Sequence, residues 1–217
     1  MTKKAFIFDL DGVIVDTAKY HFLAWQKLAN QLGIPFTEEH NESLKGVSRV
    51  RSLEIILALG HVQASEAEKN KWLVQKNEEY LSYLVTMDEK ELLPDVPRIL
   101  AFLKAHDQFI TLGSASKNAR PILEKTKIVH YFDAIVDGND VSNAKPDPEV
   151  FLRAAKLVGV SNENAIVFED SVAGIQAANL AHMTSIGIGD ASVLHEAKYN
   201  FKDFTTIDEV FLEKLIN

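Results

Sequence analysis

The chain has 217 residues, of which 47% are apolar and 25% are charged, a composition typical of a globular protein with a substantial core. The net charge of −8 argues against a general nucleic-acid-binding or membrane-binding surface, although a locally basic pocket can still bind a small anion. Cysteine is absent, which excludes disulfides, thiolate metal sites and cysteine nucleophiles. The first apolar run is cut short at Asp9, so we expect no signal peptide, and no later stretch is long enough for a membrane span. We expect a monomeric, cytoplasmic protein.

The first predicted element is a short buried strand, Ala5–Phe8, which leads directly to two carboxylates, Asp9 and Asp11. Each carboxylate disfavours ionisation of the other, and burial adds to that cost. The two acids therefore either lie in a solvated turn or face a compensating group such as a divalent cation.

Residues 17–88 are predicted to be entirely helical. Apolar residues recur at helical spacing over 17–32, and a second amphipathic stretch covers 48–59. Ser65 and Glu68 have the spacing of a capping box in front of a third helix. The apolar face of that third helix is predicted to consist of Trp72, Tyr80, Leu81 and Leu84.

After residue 94, candidate strands and helices alternate. The strands are predicted at 109–112, 134–136, 165–168 and 184–188, and the helices at 96–105, 118–127, 148–158 and 172–180. This alternation predicts an α/β fold, with a Rossmann-like parallel-sheet core that carries helices on both faces and includes the first strand. The helical block is then an all-α cap inserted into the core. We assign residues 1–16 and 93–217 to the core and 17–92 to the cap.

Polar residues follow four of the predicted strands. After the first strand come Asp9 and Asp11, after the second the turn Ser114–Asn118, after the third Lys145, and after the fourth Glu169 and Asp170. Ligands of open parallel sheets bind at the carboxyl ends of the strands. We therefore expect these residues to converge on one rim of the sheet.

The residue types indicate magnesium-dependent phosphoryl transfer. Mg²⁺ prefers hard oxygen ligands, which Asp9, Asp170 and Glu169 can supply. The hydroxyls and backbone N–H groups of Ser114–Asn118 suit a phosphate, and Lys145 can neutralise charge on the transferring group.

The acid pair fits the same chemistry. An aspartate can act as a nucleophile and form an aspartyl-phosphate, and a second aspartate can transfer the proton at the bridging oxygen. Each feature taken alone has a simpler explanation: a solvated turn, a helix cap, a loop lysine or a charge pair at a helix N-terminus. Their occurrence at successive strand ends favours the functional interpretation.

Together these residues resemble the motifs of the haloacid dehalogenase-like superfamily of phosphotransferases. DLDG is similar to its first motif, Ser114 to its second, Lys145 to its third, and Glu169-Asp170 to its acidic fourth motif. Within the superfamily the chain resembles the β-phosphoglucomutase family in the stretches DLDGVIVDT, HFLAW, LKGVSRVRSL and SASKN. Many phosphatases of the superfamily carry Thr where this chain has Val13.

The resemblance implies interconversion of β-D-glucose 1-phosphate and β-D-glucose 6-phosphate through β-glucose 1,6-bisphosphate. It implies that Asp9 is the nucleophile and Asp11 the general acid and base. Ser114 and Lys145 would hold the transferring phosphate. Magnesium would be bound by the side chains of Asp9, Glu169 and Asp170 and by the backbone carbonyl of Asp11.

The resemblance also assigns residues that bind substrate. The second phosphate would be held by Arg49, Ser116, Lys117 and Asn118. The cap side of the site would be lined by Lys45, Gly46, Val47 and Ser52, with Thr17 and His21 at the hinge. Without the resemblance, the basic stretch Lys45–Arg51 is better explained as a solvated helix start.

Two other functions remain open from the sequence. A hydrolase acting on sugar phosphates would use the same core chemistry with water as the acceptor. A non-catalytic sugar-phosphate sensor would not need both Asp9 and Asp11.

Overall fold

In the computed structural model, which describes residues 3–217, six strands form one fully parallel sheet in the order β3-β2-β1-β4-β5-β6. The strands are β1 (Ala5–Phe8), β2 (Phe109–Gly113), β3 (Ala134–Val136), β4 (Ala165–Glu169), β5 (Thr184–Ile188) and β6 (Tyr199–Phe201). The predicted α/β class with a parallel sheet is therefore confirmed.

Nine α-helices accompany the sheet within residues 3–217. Four of them lie between β1 and the rest of the core: α1 (Ala18–Gln31), α2 (Glu38–Glu42), α3 (Arg49–Leu59) and α4 (Glu66–Leu84). The others are α5 (Val96–Ala105), α6 (Ala119–Lys125), α7 (Glu149–Leu157), α8 (Val172–Leu180) and α9 (Glu209–Ile216). None of the helices formed by residues 3–217 combines the length and apolarity needed to cross a lipid bilayer.

The first strand lies at the centre of the sheet, where β1 pairs in register with both β2 and β4. All four of its side chains are buried, as expected for a parallel strand covered on both faces. The rings of Phe8 and Phe168 stack across β1 and β4 with centroids 4.7 Å apart. This packing fixes the end of β1, and with it the start of the DLDG segment, in the middle of the rim.

The four inserted helices have an apolar cluster of their own, centred on Trp25, Leu28, Ile34, Leu53 and Ile56. The C-terminal half of α4 packs differently, because Tyr80 and Leu84 join the main core cluster instead. The two linkers between the core and the inserted helices, residues 13–17 and 89–94, are joined by backbone hydrogen bonds from Asp16 N to Glu91 O at 2.9 Å and from Leu93 N to Ile14 O at 3.0 Å. The boundaries assigned to the cap stay a prediction.

The predicted bounds of β1, β3, β5, α5 and α8 agree with the structure. The short strand β6 and the helices α2 and α9 were not predicted. The assignment of Leu81 to the apolar face of α4 was wrong, since it is 39% exposed whereas Tyr80 and Leu84 are buried. The capping box of Ser65 and Glu68 is present.

Candidate active site

The carboxyl ends of β1, β2 and β4 meet the inserted helices around one cavity of about 610 Å³. Of the residues predicted from the core, the cavity is lined by Asp9, Asp11, Ser114, Ser116, Lys117, Lys145 and Asp170. Of those predicted from the cap, it is lined by His21, Lys45, Gly46, Val47, Arg49 and Ser52. Residues far apart in the chain thus reach one site because parallel strands share one rim.

Three predicted residues do not line the cavity but are bonded to residues at its edge. The Thr17 hydroxyl donates to a carboxylate oxygen of Asp11. Glu169, at the end of β4, accepts a hydrogen bond from Lys145. The side chain of Asn118 is directed to the cap, where it donates to Asn77.

Lys145 is a buried cation on the core side of the site. Its Nζ lies 2.6 Å from Asp9 Oδ1 and 2.7 Å from Glu169 Oε2, and its side chain is only 1% exposed. Burial alone would lower the pKa of Lys145, but the two carboxylates outweigh it and raise the pKa above its ordinary value. Lys145 therefore remains an ammonium group directed at Asp9.

Three carboxylates converge beside this lysine. Asp9, Glu169 and Asp170 each place an oxygen within 4.8 Å of the others. Burial raises the pKa of Asp9 to about 7 despite the opposing Lys145 ammonium, and burial also raises the pKa of Asp170 well above its ordinary value. Three carboxylates held this close together offer hard oxygen donors that fit a divalent cation. The charge of such a cation would favour the ionised forms of the carboxylates.

Hydrogen bonds and close packing fix the side chain of Glu169, the glutamate of this cluster. Glu169 Oε1 accepts hydrogen bonds from the Ser171 hydroxyl at 2.6 Å and from the Ser171 N–H at 3.1 Å. A Cβ placed on Gly174 would lie 2.0 Å from the carboxyl carbon of Glu169. The first turn of α8 therefore requires glycine at position 174 so that the carboxylate can lie against the backbone.

Asp11 stands apart from the cluster of three. Its carboxylate accepts from Thr17 and lies 3.8 Å from Nε2 of His21. Enclosure raises the pKa of Asp11 above its ordinary value, although the hydrogen bond from Thr17 opposes the rise. Gly12 has φ +80, and a Cβ there would lie 2.1 Å from Asp170 Oδ2, so the turn directly after Asp11 depends on glycine. The raised pKa of Asp11 favours its protonated form more than that of an ordinary aspartate, which suits a group that donates a proton.

The predicted phosphate turn is held by its own hydroxyls. Ser114 Oγ accepts from the Ser116 N–H at 3.0 Å, and Ser116 Oγ accepts from the Asn118 N–H at 3.3 Å. Ser114 is buried at the end of β2, so its hydroxyl lies at the floor of the cavity next to the first strand. Among residues 3–217 the Ser114 hydroxyl donates no hydrogen bond, so its proton can be donated to an anion.

The cap contributes a basic loop opposite these groups. Lys45 Nζ lies 3.7 Å from Asp170 Oδ2 and 2.9 Å from Glu42 Oε2. Gly46 has φ +72, and a Cβ there would lie 2.2 Å from Ser171 Oγ, so the loop touches the core closely. Arg49 begins α3 after its N-cap Ser48 and lines the cavity.

One cation of the site was not predicted. Lys76, in the middle of α4, is 2% exposed and places Nζ 3.1 Å from His21 Nδ1. The ammonium lies 4.6 Å from the centroid of the Trp25 ring and 4.8 Å from that of Tyr80. Burial, together with the smaller effect of nearby Arg49, lowers the pKa of Lys76 to about 7. Burial likewise lowers the pKa of His21, with Lys76 adding to the effect. The cap side of the cavity therefore holds groups whose protonated, positively charged forms a dianionic ligand would stabilise.

Comparisons with known proteins agree with this geometry. A family model described as haloacid dehalogenase-like hydrolase matches residues 3–182. The chain belongs to this family. It is 45% identical over 188 residues to a β-phosphoglucomutase of Bacillus subtilis, covering 86% of this chain and 83% of that protein. A crystal structure of β-phosphoglucomutase from Clostridium difficile superposes with a TM-score of 0.95 at 40% identity, covering 100% of this chain and 98% of that one.

A phosphatase is also among the relatives. The chain is 30% identical over 201 residues to a phosphorylated carbohydrates phosphatase of Thermotoga maritima, covering 89% of this chain and 91% of that protein. The resemblance to the haloacid dehalogenase-like superfamily and to its β-phosphoglucomutase family is therefore confirmed, with stronger similarity on the mutase side.

Proposed function

We infer that this protein is a β-phosphoglucomutase, which interconverts β-D-glucose 1-phosphate and β-D-glucose 6-phosphate. The observation that carries this inference is the Lys145 ammonium held between Asp9 and Glu169 under a basic cap, in a chain 45% identical to a β-phosphoglucomutase. The lysine and the acids support phosphoryl transfer, and the cap supports a sugar phosphate as the substrate. We further propose that the enzyme is a cytoplasmic monomer.

The proposed reaction begins at Asp9. A carboxylate oxygen of Asp9 attacks phosphorus of the bisphosphate, the P–O bond to the sugar breaks, and an aspartyl-phosphate forms. Asp11 gives its proton to the departing sugar oxygen. Lys145 and Ser114 hold the phosphoryl oxygens in place, so that charge developing on the group meets groups already positioned for it.

In the second half of the reaction the sugar is presented by its other hydroxyl. Asp11 takes the proton of that hydroxyl as the oxygen attacks the aspartyl-phosphate, and Asp9 leaves as a carboxylate. The raised pKa of Asp11 supports both roles, since a general acid and base works best when its pKa lies near the operating pH.

We propose Mg²⁺ as the metal, bound by Asp9, Glu169, Asp170 and the backbone carbonyl of Asp11. When bound, it would neutralise negative charge on the transferring phosphoryl group. The clustered carboxylate oxygens support a hard divalent cation in general.

The cap is proposed to decide between sugar and water as the acceptor. A mutase must exclude water while the aspartyl-phosphate exists, and binding energy from the far phosphate can drive that closure. Arg49, Ser116, Lys117 and Asn118 are proposed to hold this phosphate, and Lys45, Gly46, Val47 and Ser52 to close the cap side. Thr17 and His21, both in contact with Asp11, are proposed to couple the hinge to the proton-transferring group.

Product analysis tests the proposal. The protein is incubated with β-glucose 1-phosphate, Mg²⁺ and a trace of β-glucose 1,6-bisphosphate, and glucose 6-phosphate and inorganic phosphate are both measured. We expect glucose 6-phosphate to accumulate, and we expect Asp9→Asn to abolish its formation. Inorganic phosphate without glucose 6-phosphate would instead support the phosphatase suggested by the Thermotoga maritima relative.

A further inference from the structure

The side chain of Asn118 is hydrogen-bonded to the cap. Its Nδ2 donates to Oδ1 of Asn77 at 3.0 Å, which joins the start of core helix α6 to the middle of cap helix α4. Asn118 is the N-cap residue of α6, yet its side chain accepts no capping hydrogen bond. Its backbone N–H is already bound by Ser116 Oγ at 3.3 Å. The side chain therefore has one hydrogen-bond partner in the described residues, and that partner belongs to the cap.

The contact between these two helices continues on the same side of the cavity. Lys125 Nζ, at the end of α6, donates to the carbonyl of Val85, which follows α4, at 3.3 Å. Lys127 Nζ lies 3.2 Å from Glu89 Oε1 in the second linker. Both of these contacts are exposed to solvent, whereas Asn77 and Asn118 are half-buried beside Lys76 and Lys117. Of these contacts, the asparagine pair is the one whose chain neighbours, Lys76 and Lys117, line the cavity.

An asparagine amide carries two N–H donors. In Asn118 one donor is occupied by Asn77 Oδ1, and the other remains available for an anionic oxygen. Because the bond to Asn77 restricts rotation of the carboxamide, it also restricts the direction of the second donor. A phosphate bound by Ser116, Lys117 and Asn118 would then meet a donor that is already oriented, which lowers the entropic cost of binding.

We propose that Asn77 is a positioning residue, which orients the carboxamide of Asn118 for the far phosphate of the substrate and ties that binding event to cap helix α4. This proposal rests on the proposed function, since it takes Asn118 as a ligand of that phosphate. Asn77 acts through Asn118 and does not touch the reacting phosphoryl group.

A double-mutant cycle of Asn77→Ala and Asn118→Ala tests the proposal. We expect Asn77→Ala to raise KM for β-glucose 1-phosphate roughly 3- to 10-fold, the effect of about one net hydrogen bond, with a smaller change in kcat. In the Asn118→Ala background the same substitution should leave KM unchanged, because the group that Asn77 orients is gone. Equal effects of Asn77→Ala in both backgrounds, or an unchanged or lower KM in the single variant, would overturn the proposal.

A matched control is available on the same helix. Gln75 donates to Gln31 within the cap, an amide–amide bond between α4 and α1 that lies away from the cavity. Gln75→Ala should leave KM unchanged, whereas a rise equal to that of Asn77→Ala would mean that any loosening of α4 has this effect and would overturn the specific role of Asn77.

The test remains informative if the enzyme proves to be a phosphatase. The cycle is measured on whichever turnover the wild type performs, and calorimetric titration with glucose 6-phosphate gives the same comparison as dissociation constants. Lack of isomerisation then counts against the proposed function alone. Additive losses of affinity count against the role of Asn77 alone.

Discussion

Replacing Lys76 by Met removes a buried ammonium group and keeps a long, unbranched side chain. The pKa of Lys76 falls from its ordinary value of 10.5 to about 7 because the side chain is buried. One pKa unit corresponds to 1.36 kcal/mol, so the ionised form carries a cost of about 5 kcal/mol in the folded protein at low pH. Contacts with the Trp25 and Tyr80 rings offset about 0.5–2 kcal/mol of it. We therefore expect Lys76→Met to increase the free energy of unfolding at pH 6 by about 3–4 kcal/mol.

The pH dependence gives the sharper test. Between about pH 7 and 10 the unfolded chain holds a proton on Lys76 that the folded protein has released, so the free energy of unfolding of the wild type rises with pH in this window. Lys76→Met lacks this contribution. The free energy of unfolding of Lys76→Met should therefore exceed that of the wild type by about 2–3 kcal/mol less at pH 9 than at pH 6.

Urea unfolding followed by circular dichroism at pH 6, 7.5 and 9 measures this difference. Lys71→Met serves as the control, since Lys71 lies on the same helix and is exposed. Its stability relative to the wild type should not change with pH. If the difference between Lys76→Met and the wild type were constant from pH 6 to 9, Lys76 would not be neutralised in this range and the reasoning would be refuted.

Three further substitutions address the reaction. Asp11→Asn should lower kcat roughly 10²–10⁴-fold, as expected for loss of a general acid and base; a fall below tenfold in product assays would rule out that role. Arg49→Ala should reduce isomerisation far more than any residual hydrolysis. Arg51→Ala, which removes an exposed ion pair with Glu54, should reduce neither activity. Equal loss of both activities in Arg49→Ala would show that Arg49 does not hold the far phosphate. Gly174→Ala should raise the Mg²⁺ concentration needed for half-maximal activity at least about tenfold, because the added Cβ would lie 2.0 Å from the carboxyl carbon of Glu169 and displace this proposed metal ligand. An unchanged Mg²⁺ titration would contradict the proposal that the three carboxylates bind the ion.

The core half of the site could be predicted because it follows from topology. Asp9, Ser114 and Asp170 each come at or directly after the end of a strand, and parallel strands present those ends to one rim. A periodic pattern of buried residues identifies such strands from the sequence, so the convergence of their loops needs no knowledge of side-chain contacts. Lys145 lies in a longer loop, and its burial between two carboxylates is a detail of packing that only the structure supplies.

The cap half was harder to predict for a physical reason. In the polar stretch around KNKWLVQKNEEY, Lys76 and Asn77 look like solvated helix residues. The burial of Lys76 follows from the packing of α1 against α4, which brings His21 and Trp25 over its ammonium group, whereas Asn77 contacts Asn118 of the core. Helix periodicity indicates that a face is apolar but does not show which polar residues the neighbouring helix will cover. The edge strand β6 was missed because three half-buried residues give too little alternation to detect.

The central claim, that Asp9 carries the phosphoryl group and passes it to a sugar, can be measured directly by following the label. The enzyme is treated with β-glucose 1,6-bisphosphate labelled in its phosphates, and the Asp9 peptide is examined for label before and after a chase with unlabelled β-glucose 1-phosphate. We expect label on Asp9 that moves into glucose phosphates during the chase, with little inorganic phosphate. Label that never reaches Asp9, or that leaves it only as inorganic phosphate, would contradict the account.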